Sequence, residues 1–506
     1  MLNQDVQPPP YPPQARQAPQ PPAPLPKLSL PTRIFYGFGS VAFGAKDNGF
    51  SYFLAFFYAQ VVGLPAAKVG LAIMLALIID AFIDPILGQL SDNTRSKWGR
   101  RHPFMYAAAL PVALSYLLLW NPPQGWSESA LIAYLVVTAI LIRTFISTYE
   151  IPSAALSAEL TTDYDERTQL LSYRFLFSWI GGLATYAAAL AIFLRPTPEY
   201  PVGQLNPQGY SNYGLFAAAV MFVAILVSAI GTHREIKRLR APPHERISMG
   251  RFWREMAGTL ANRSFLMILG AAFFLAMAVG LGFAISLYFA TYFWAFSSGQ
   301  IAGFTASSLI AAVIAFAAAP RVASRFDKKP TAVVLVPAAL LFAILPVILR
   351  LMGLMPANGT VALYVLVFLA NLAAAAAGTT AGILFVSMIA DVVEDSELKT
   401  GRRQEGLFFA AAAFVNKAVS GLGIFGASLI VGAIGFPQRA VPGEIAPEVL
   451  RNLGLVYVPV QVMLYGLATA LLLGYGISRA SHMETLRQLA ARAEQVREGE
   501  PESLRS

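Results

Sequence analysis

Apolar residues fill most of the chain in long blocks, and short polar loops separate one block from the next. Each block holds about 20 or more residues, which is enough for an α-helix to cross a bilayer. Most blocks lack the polar residues that recur every second turn of a soluble amphipathic helix. The pattern therefore predicts twelve membrane-spanning helices, called spans 1 to 12 below. They are placed at residues 34–62, 66–91, 103–121, 127–157, 170–194, 212–232, 265–294, 298–320, 330–353, 360–390, 404–436 and 449–478.

The composition excludes several classes of protein. Of the 506 residues, 56% are hydrophobic and 13% are charged, whereas a soluble domain has about 25% charged residues. The chain has no cysteine, so disulfides and thiolate catalysis are excluded. The formal net charge is +9, but the basic residues lie in short loops between apolar blocks. That arrangement is typical of membrane topology and not of nucleic-acid binding.

Basic residues alternate from loop to loop. The loops after spans 2, 6, 8 and 10 hold clusters of Lys and Arg, and the main exceptions on the other side are Lys68, Arg195 and Arg439. Because positively charged loops stay on the cytoplasmic side, both termini are predicted to be cytoplasmic in a multi-pass protein of the inner (plasma) membrane.

A long basic loop divides the spans into two sets of six. The loops RSKWGRRHP and RVASRFDKKP hold equivalent places after spans 2 and 8, which indicates an internal repeat. We therefore predict an all-α membrane protein with two six-helix bundles around a central cavity. The predicted divisions are a disordered Pro-rich cytoplasmic tail (1–32), the N-terminal bundle (33–232), a basic cytoplasmic linker (233–262), the C-terminal bundle (263–478) and a cytoplasmic C-terminal tail (479–506).

Asp80 and Asp84 lie in the middle of span 2, where a charged side chain is costly. Their spacing of four places both carboxylates on one face of the helix, and two like charges this close repel each other. A cation between them or a basic neighbour would relieve the repulsion, and oxygen-rich sites suit Na⁺. The alternative is that both carboxylates are only structural ion-pair partners of Lys417.

Other spans also carry polar or charged groups at membrane depth. Arg143 is expected to be a packing partner of a carboxylate. Glu150 or Arg174 could instead lie at a membrane interface. The remaining groups of this set are Lys46, Asp47, Ser147 and Lys417.

Mixed charges stand where spans 2, 4 and 10 reach the predicted cytoplasmic side. Such groups can form salt bridges between the bundles that close this side and break when it opens. Alternatively, they belong to solvated loops that only set the topology. The gate candidates are Asp92, Arg100, Arg101, Glu159, Asp163, Arg167, Asp391, Glu394, Arg402 and Arg403.

Several chemical motifs are absent from the sequence. No GxxxxGK[ST] string occurs, which argues against ATP-driven chemistry. No HExxH string and no Cys/His set occurs, which argues against a protease metal site. No histidine lies at the middle of a predicted span. We therefore expect no catalytic residue, no enzymatic activity, no cofactor and no metal beyond a Na⁺ at Asp80 and Asp84.

Four strings resemble the glycoside–pentoside–hexuronide:cation symporters of the major facilitator superfamily (MFS), in particular their melibiose-permease-like members. The resemblance covers about residues 34–478. The strings are AKD in span 1, DAFIDPILGQLSDNTRSKWGRRHPF across span 2, YEIPSAALSAELTTDYDERTQLLSYRF between spans 4 and 5, and IADVVEDSELKTGRRQEGLFFAAAAFVNK between spans 10 and 11.

The resemblance implies a role for each matching residue. Asp80 and Asp84 match the cation-site carboxylates, Ser147 matches a hydroxyl of that site, and Lys417 matches the lysine beside it. Lys46, Asp47 and Arg174 match residues implicated in sugar binding. Glu150 stands where the melibiose-permease-like members have an aspartate, and Ala154 stands where they have an aromatic ring, so galactoside recognition is not implied.

The expected function is therefore Na⁺- or H⁺-coupled symport of a sugar or glycoside by alternating access, with the lipid bilayer, the cation and the solute as its partners. Two alternatives stay open. One is a lipid or lysolipid carrier on the same fold, and the other is a sensor that binds a solute without moving it.

Overall fold

A computed structural model describes residues 27–161, 163–238, 249–401 and 404–499. Apart from turns and loops, these residues are helical. Eleven helices among them are long and apolar enough to cross a membrane, and the divided helical rod of span 1 makes the twelfth. Span 1 covers residues 30–61. The later spans are Ala66–Asn93, His102–Leu119, Glu128–Leu160, Tyr164–Ala188, Pro207–Thr232, Arg263–Tyr288, Ser298–Phe326, Lys328–Leu351, Val361–Thr400, Glu405–Ala433 and Pro447–Leu473.

Span 10 extends furthest beyond its predicted end, from residue 390 to Thr400. Its last turns are charged, so hydropathy alone places the end of the helix too early. Lys399 pairs with Asp395 at 2.7 Å across one turn, and such a pair stabilises a helix. Gly401 then ends the helix with a φ of 68°, a conformation that glycine adopts without steric cost.

The prediction of a disordered tail does not hold for residues 27–32. Leu28 is buried, and its backbone N–H donates to Glu166 at 2.7 Å. Arg33 also pairs with Glu166, at 2.9 Å. These contacts tie the segment to the start of span 5, and span 1 begins at Leu30. The rest of the predicted tail, residues 1–26, lies outside the described part of the chain.

Spans 1 and 7 end in the same way, which reveals an internal repeat. Each closes with one hydrogen bond across five residues and one across six, so the last turns are wide. Each then turns through a positive φ, 89° at Gly63 and 53° at Ala295. The bonds, each from N–H to carbonyl oxygen, are Val62 to Phe57, Leu64 to Tyr58, Trp294 to Phe289 and Phe296 to Ala290.

The two halves meet closely where span 2 packs against span 11. A Cβ atom added at Gly70 would lie 2.4 Å from the side chain of Ser428, and one at Gly421 would lie 3.1 Å from that of Leu77. Small residues at such positions let two membrane helices approach closely. This contact sets the distance between span 2, which carries the paired aspartates, and span 11, which carries Lys417.

The spans alternate in direction, so their loops lie at two ends of the molecule. We call the end with the loops after spans 2, 4, 6, 8 and 10 the basic end, and the other the opposite end. Two further helices follow even-numbered spans, Met249–Gly258 before span 7 and Arg479–Gly499 after span 12.

Candidate functional site

Asp80 is the most heavily coordinated carboxylate in the site. Its side chain is 2% exposed, and it accepts hydrogen bonds from Arg143 at 2.8 Å and from Ser147 at 3.1 Å. The ammonium of Lys417 lies 2.6 Å from the same carboxylate. Arg143, predicted as a packing partner, is thus a direct counter-charge of Asp80. Spans 2, 4 and 11 together hold this buried carboxylate.

Asp84 lies one turn further along span 2 and has fewer partners. Lys417 donates to its Oδ2 atom at 2.5 Å, whereas its Oδ1 atom is buried without a hydrogen-bond partner. Span 2 remains a continuous helix through Pro85. One ammonium therefore bridges both aspartates, and one buried carboxylate oxygen is left unsatisfied, which is costly for a polar atom.

Lys46 and Asp47 form a second ion pair, on span 1. Their charged atoms are 3.0 Å apart, and the side chain of Lys46 is 1% exposed while that of Asp47 is 51% exposed. The ammonium also lies 4.4 Å from the centre of the Phe43 ring, an arrangement that favours a cation. Lys46 therefore anchors a carboxylate that faces open space.

Glu150 and Arg174 are not among the described ion-pair partners of Asp80 and Asp84. Arg174 donates to the Ser153 hydroxyl at 2.8 Å and lies over the Tyr36 ring. Glu150 forms no hydrogen bond or ion pair within the part of the chain that the structure describes. Its charged neighbours include the cations Lys46, Arg174 and Lys417 and the carboxylate of Asp84, so it is a carboxylate without a direct partner in a mixed set of charges.

A cavity of about 710 Å³ lies beside Asp47 and reaches into both halves. Asp47 is the one charged residue among its described lining residues. Side chains of spans 1 and 5 line one side, and those of spans 7, 8, 9, 10 and 12 line the other. Sequence reasoning placed a cavity between the bundles but did not identify the C-terminal residues that line it.

Gln60 connects the two halves at the opposite end. It is 3% exposed, and its Oε1 accepts from the N–H of Ala440 at 3.1 Å and from the Tyr292 hydroxyl at 3.2 Å. Its Nε2 donates to the carbonyl oxygen of Pro437 at 3.2 Å. The side-chain amide is therefore satisfied on both atoms by the C-terminal half.

Gln204 makes a second connection at the same end. It is 1% exposed, it donates to the carbonyl oxygen of Phe296 at 3.0 Å, and it accepts from Ser298 at 3.1 Å. Arg439 adds a bond to the carbonyl oxygen of Val62 at 2.8 Å. Buried polar bonds thus hold the halves together here. The sequence offered no signal for the two glutamines, because uncharged residues in loops and at helix ends match no charge pattern.

We expect Gln60→Leu to weaken closure of the opposite end, because the N–H of Ala440 and the carbonyl oxygen of Pro437 lose their partner. The Tyr292 hydroxyl keeps its bond to the carbonyl oxygen of Ala440. Each buried unsatisfied group costs about 1–3 kcal/mol, so the open population should rise about tenfold or more. The chain has no cysteine, so Ser286→Cys places a single thiol on the cavity wall. If the opposite end faces the outside, as the loop charges predict, labelling of that thiol in intact cells by an impermeant maleimide measures the opening.

The control for this measurement is Gln208→Leu. Gln208 lies at the same end, but it is exposed and bonds only to Asn212 of the same helix. Labelling should match that of the parent Ser286→Cys protein. Equal labelling rates in the Gln60→Leu and Gln208→Leu proteins would show that Gln60 does not hold this end closed.

The gate candidates at the basic end pair within their own halves. Glu159 accepts from Arg100 at 2.9 Å and from Arg101 at 2.7 Å, and Arg101 also pairs with Asp92. In the C-terminal half, Asp391 pairs with Lys328 at 2.6 Å. These residues therefore do not bridge the halves in this structure.

The other gate candidates that the structure describes make no bridge between the halves either. Glu394 lies 3.4 Å from the ring of His482, in the same half. Asp163 caps the start of span 5 by accepting from the N–H of Glu166, and Arg167 is exposed. Arg402 and Arg403 lie outside the described residues. Bridges between the halves thus stay a prediction for another conformation.

Comparisons with known proteins place the chain among transporters. A family model described as MFS/sugar transport protein matches residues 35–479. The uncharacterized symporter sll1374 of Synechocystis sp. is 28% identical, over 92% of this chain and 97% of its own length. The putative glycoside/cation symporter YagG of Escherichia coli (strain K12) is 26% identical, over 92% of this chain and 95% of its own length.

A solved structure with a similar backbone is the crystal structure of nucleoside transporter NupG. The comparison covers 87% of this chain and 98% of that chain, with a TM-score of 0.59 and 14% sequence identity. At this identity the likeness concerns the fold alone.

Proposed function

Because the chain belongs to the MFS/sugar transport protein family, we propose that it is a symporter that couples Na⁺ or H⁺ to the movement of a sugar or glycoside. Membership confirms the predicted twelve-helix MFS fold. The chain is a multi-pass membrane transporter and not an enzyme. The cation, the solute class, the site residues and the orientation are proposed from the contacts and charges described below.

The observation that carries the proposal is the position of Lys417 between Asp80 and Asp84. Its ammonium lies 2.6 and 2.5 Å from the two carboxylates, while Asp84 keeps one buried oxygen without a partner. A Na⁺ bound by Asp84 and Asp80, with the Ser147 hydroxyl nearby, would satisfy that oxygen, since hard cations take oxygen ligands. A proton on Asp84 would neutralise the same charge.

Cation binding at this site would act on the contact between the halves. The aspartates belong to the N-terminal half and Lys417 to the C-terminal half, so their ion pairs join the two. A cation competes with the ammonium for Asp84 and changes the free energy of separating the halves. The same free energy then couples cation binding to solute binding, and this coupling is reciprocal.

The solute would bind between this ion-pair cluster and the cavity. Asp47 is exposed and held in place by Lys46, Glu150 has no hydrogen-bond partner in the described chain, and Arg174 is one of the charged neighbours of Glu150. Carboxylates and guanidinium groups make strong, directional hydrogen bonds to hydroxyls. This combination suits a polyhydroxylated solute.

The orientation follows from the loop charges. If the basic end faces the cytoplasm, the bonds of Gln60 and Gln204 close the periplasmic side, and the structure is an inward-facing state. The ten gate candidates would then exchange partners between the halves in the outward-facing state. Both termini would be cytoplasmic, in the inner membrane.

A substrate panel in proteoliposomes tests the proposed function. Sodium and proton gradients are imposed separately, and the uptake of labelled mono- and disaccharides is measured. We expect accumulation of at least one sugar above its external concentration with one of the two gradients, abolished by an ionophore for that ion.

Three outcomes would contradict the proposal. Binding of a sugar without flux would indicate a sensor. Flux of lysophosphatidylcholine and of no sugar would indicate a lipid carrier. Sugar flux that only equilibrates, whichever gradient is applied, would exclude symport.

A further inference from the structure

We propose that the C-terminal half contains a second carbohydrate subsite, in which Gln461 accepts a hydrogen bond from a solute whose other end lies near Asp47. The solute class is then a neutral disaccharide or glycoside and not a single monosaccharide. This inference rests on the proposed function and adds to it a subsite and a specificity-determining residue. We call this part of the cavity the C-half chamber, lined by Trp294, Phe304, Ser308, Asn371, Tyr457 and Gln461.

The chamber exists because the side chains of span 10 are small where they face it. Residues 371–382 read NLAAAAAGTTAG, and Ala374, Ala375 and Gly378 from this stretch line the cavity. A Cβ atom added at Gly378 would meet only Ala339, at 3.9 Å. Such small side chains leave open the space between spans 7, 9 and 12. The full cavity, about 710 Å³, lies in the range of ligand sites of about 300–1,000 Å³.

Gln461 supplies a hydrogen-bond acceptor with a fixed direction. It is 4% exposed, and its Nε2 donates to the carbonyl oxygen of Ala278 at 3.1 Å. That bond determines which end of the amide is nitrogen. The Oε1 atom is buried without a hydrogen-bond partner, although buried carbonyl oxygens are nearly always paired. A hydroxyl of a bound solute would satisfy it.

The amide of Gln461 is close to the cavity wall on span 7. Gly282 lines the cavity, and a Cβ atom added there would lie 3.7 Å from Nε2 of Gln461. Because glycine has no side chain, nothing at this position covers the amide. Asn371 accepts from Ser307 at 3.0 Å, which leaves its amide N–H groups as donors. The chamber thus offers an acceptor on span 12 and donors on span 10.

The remaining chemistry of the chamber selects a neutral ligand. Trp294, Phe304 and Tyr457 provide aromatic surfaces, and none of the described C-terminal residues that line the cavity is charged. Aromatic walls with few polar groups are typical of sites that hold a ligand by shape and orient it by hydrogen bonds. A sugar ring has an apolar face and hydroxyls at its edge, and it fits both features. An anionic or cationic group would find no counter-charge here.

Affinity measurements with defined sugars test the chamber. The purified protein is titrated with xylose, glucose and galactose, and with xylobiose, cellobiose, maltose and lactose. We expect at least one disaccharide to bind about tenfold or more tightly than its component monosaccharides. Gln461→Leu should remove most of this difference and leave monosaccharide affinity within about twofold. The lost hydrogen bond is made only by a solute long enough to reach the chamber, so only the affinity for disaccharides falls.

Two further variants keep the test decisive. Ala374→Phe fills the chamber and keeps Gln461 in the sequence, and it should abolish disaccharide preference in a folded protein even where Gln461→Leu unfolds. Gln488→Leu, on an exposed face of the C-terminal helix, should change neither affinity.

The results that would contradict the chamber differ from those that would contradict the proposed function. The chamber is overturned if mono- and disaccharides bind with equal affinity. It is also overturned if Gln461→Leu lowers the affinity for both by the same factor. Both results leave the proposed symport intact. Failure of every sugar to bind or move overturns the proposed function, and the chamber with it.

Discussion

Asp84→Asn is expected to abolish cation-driven accumulation while solute exchange across the membrane continues. The substitution removes the negative charge that draws the cation but keeps the side-chain volume. Asp80 still holds Lys417 and Arg143 at 2.6 and 2.8 Å, so the buried core of the site stays paired. The internal concentration should then rise only to the external one, because a coupling factor of about 5- to 150-fold is lost.

Counterflow of labelled solute against unlabelled solute, measured beside gradient-driven uptake, separates the two effects. Glu128→Gln is the matched control. That carboxylate also pairs with a lysine, Lys68, at 2.5 Å, but both side chains are about half exposed, and its removal should change neither assay. Gradient-driven accumulation in the Asp84→Asn protein would refute the assignment of Asp84. Loss of counterflow as well would mean that the residue is needed for the movement of the halves and not for coupling alone.

The sequence was sufficient for the parts of the site that carry charge at membrane depth. Asp80, Asp84 and Lys417 stand out because each is costly in a bilayer, and the structure brings them together although Lys417 lies 333 residues from Asp84 along the chain. The twelve spans follow from hydropathy in the same way. Where a helix continues beyond the apolar core, as in span 10, hydropathy carries no information and the predicted end is too early.

Neutral polar contacts could not be predicted in this way. Gln60 bonds to residues more than 200 positions away, at Tyr292 and Ala440, and nothing in its local sequence distinguishes it from a solvated glutamine. Gln461 is similar, since its importance depends on the small residues of another span. In the sequence, Arg439 stands out only as an exception to the pattern of loop charges, yet in the structure it bonds to the other half. Contacts of this kind depend on the folded arrangement of the halves.

Replacing Arg143 alone should destabilise the protein far more than replacing Arg143 and Asp80 together. The two side chains are 3% and 2% exposed and lie 2.8 Å apart. Arg143→Met leaves a buried carboxylate short of one counter-charge, and breaking a buried ion pair costs about 3–5 kcal/mol. In Asp80→Asn/Arg143→Met both charges are absent, and Lys417 keeps Asp84 as its partner at 2.5 Å. Removal of a whole buried pair is often close to neutral.

Thermal unfolding of the detergent-purified variants measures this difference. We expect a large drop in Tm for Arg143→Met and for Asp80→Asn, and recovery of most of that drop in the double variant. Lys68→Met breaks an ion pair that is just as short but exposed, and it should cost no more than about 1 kcal/mol. The double variant should remain unable to accumulate solute, because stability returns without the carboxylate that the cation needs. If the two single effects simply add in the double variant, Arg143 and Asp80 are not energetically coupled. Asp80 would then depend mainly on Lys417 and Ser147 for its stability in the membrane interior.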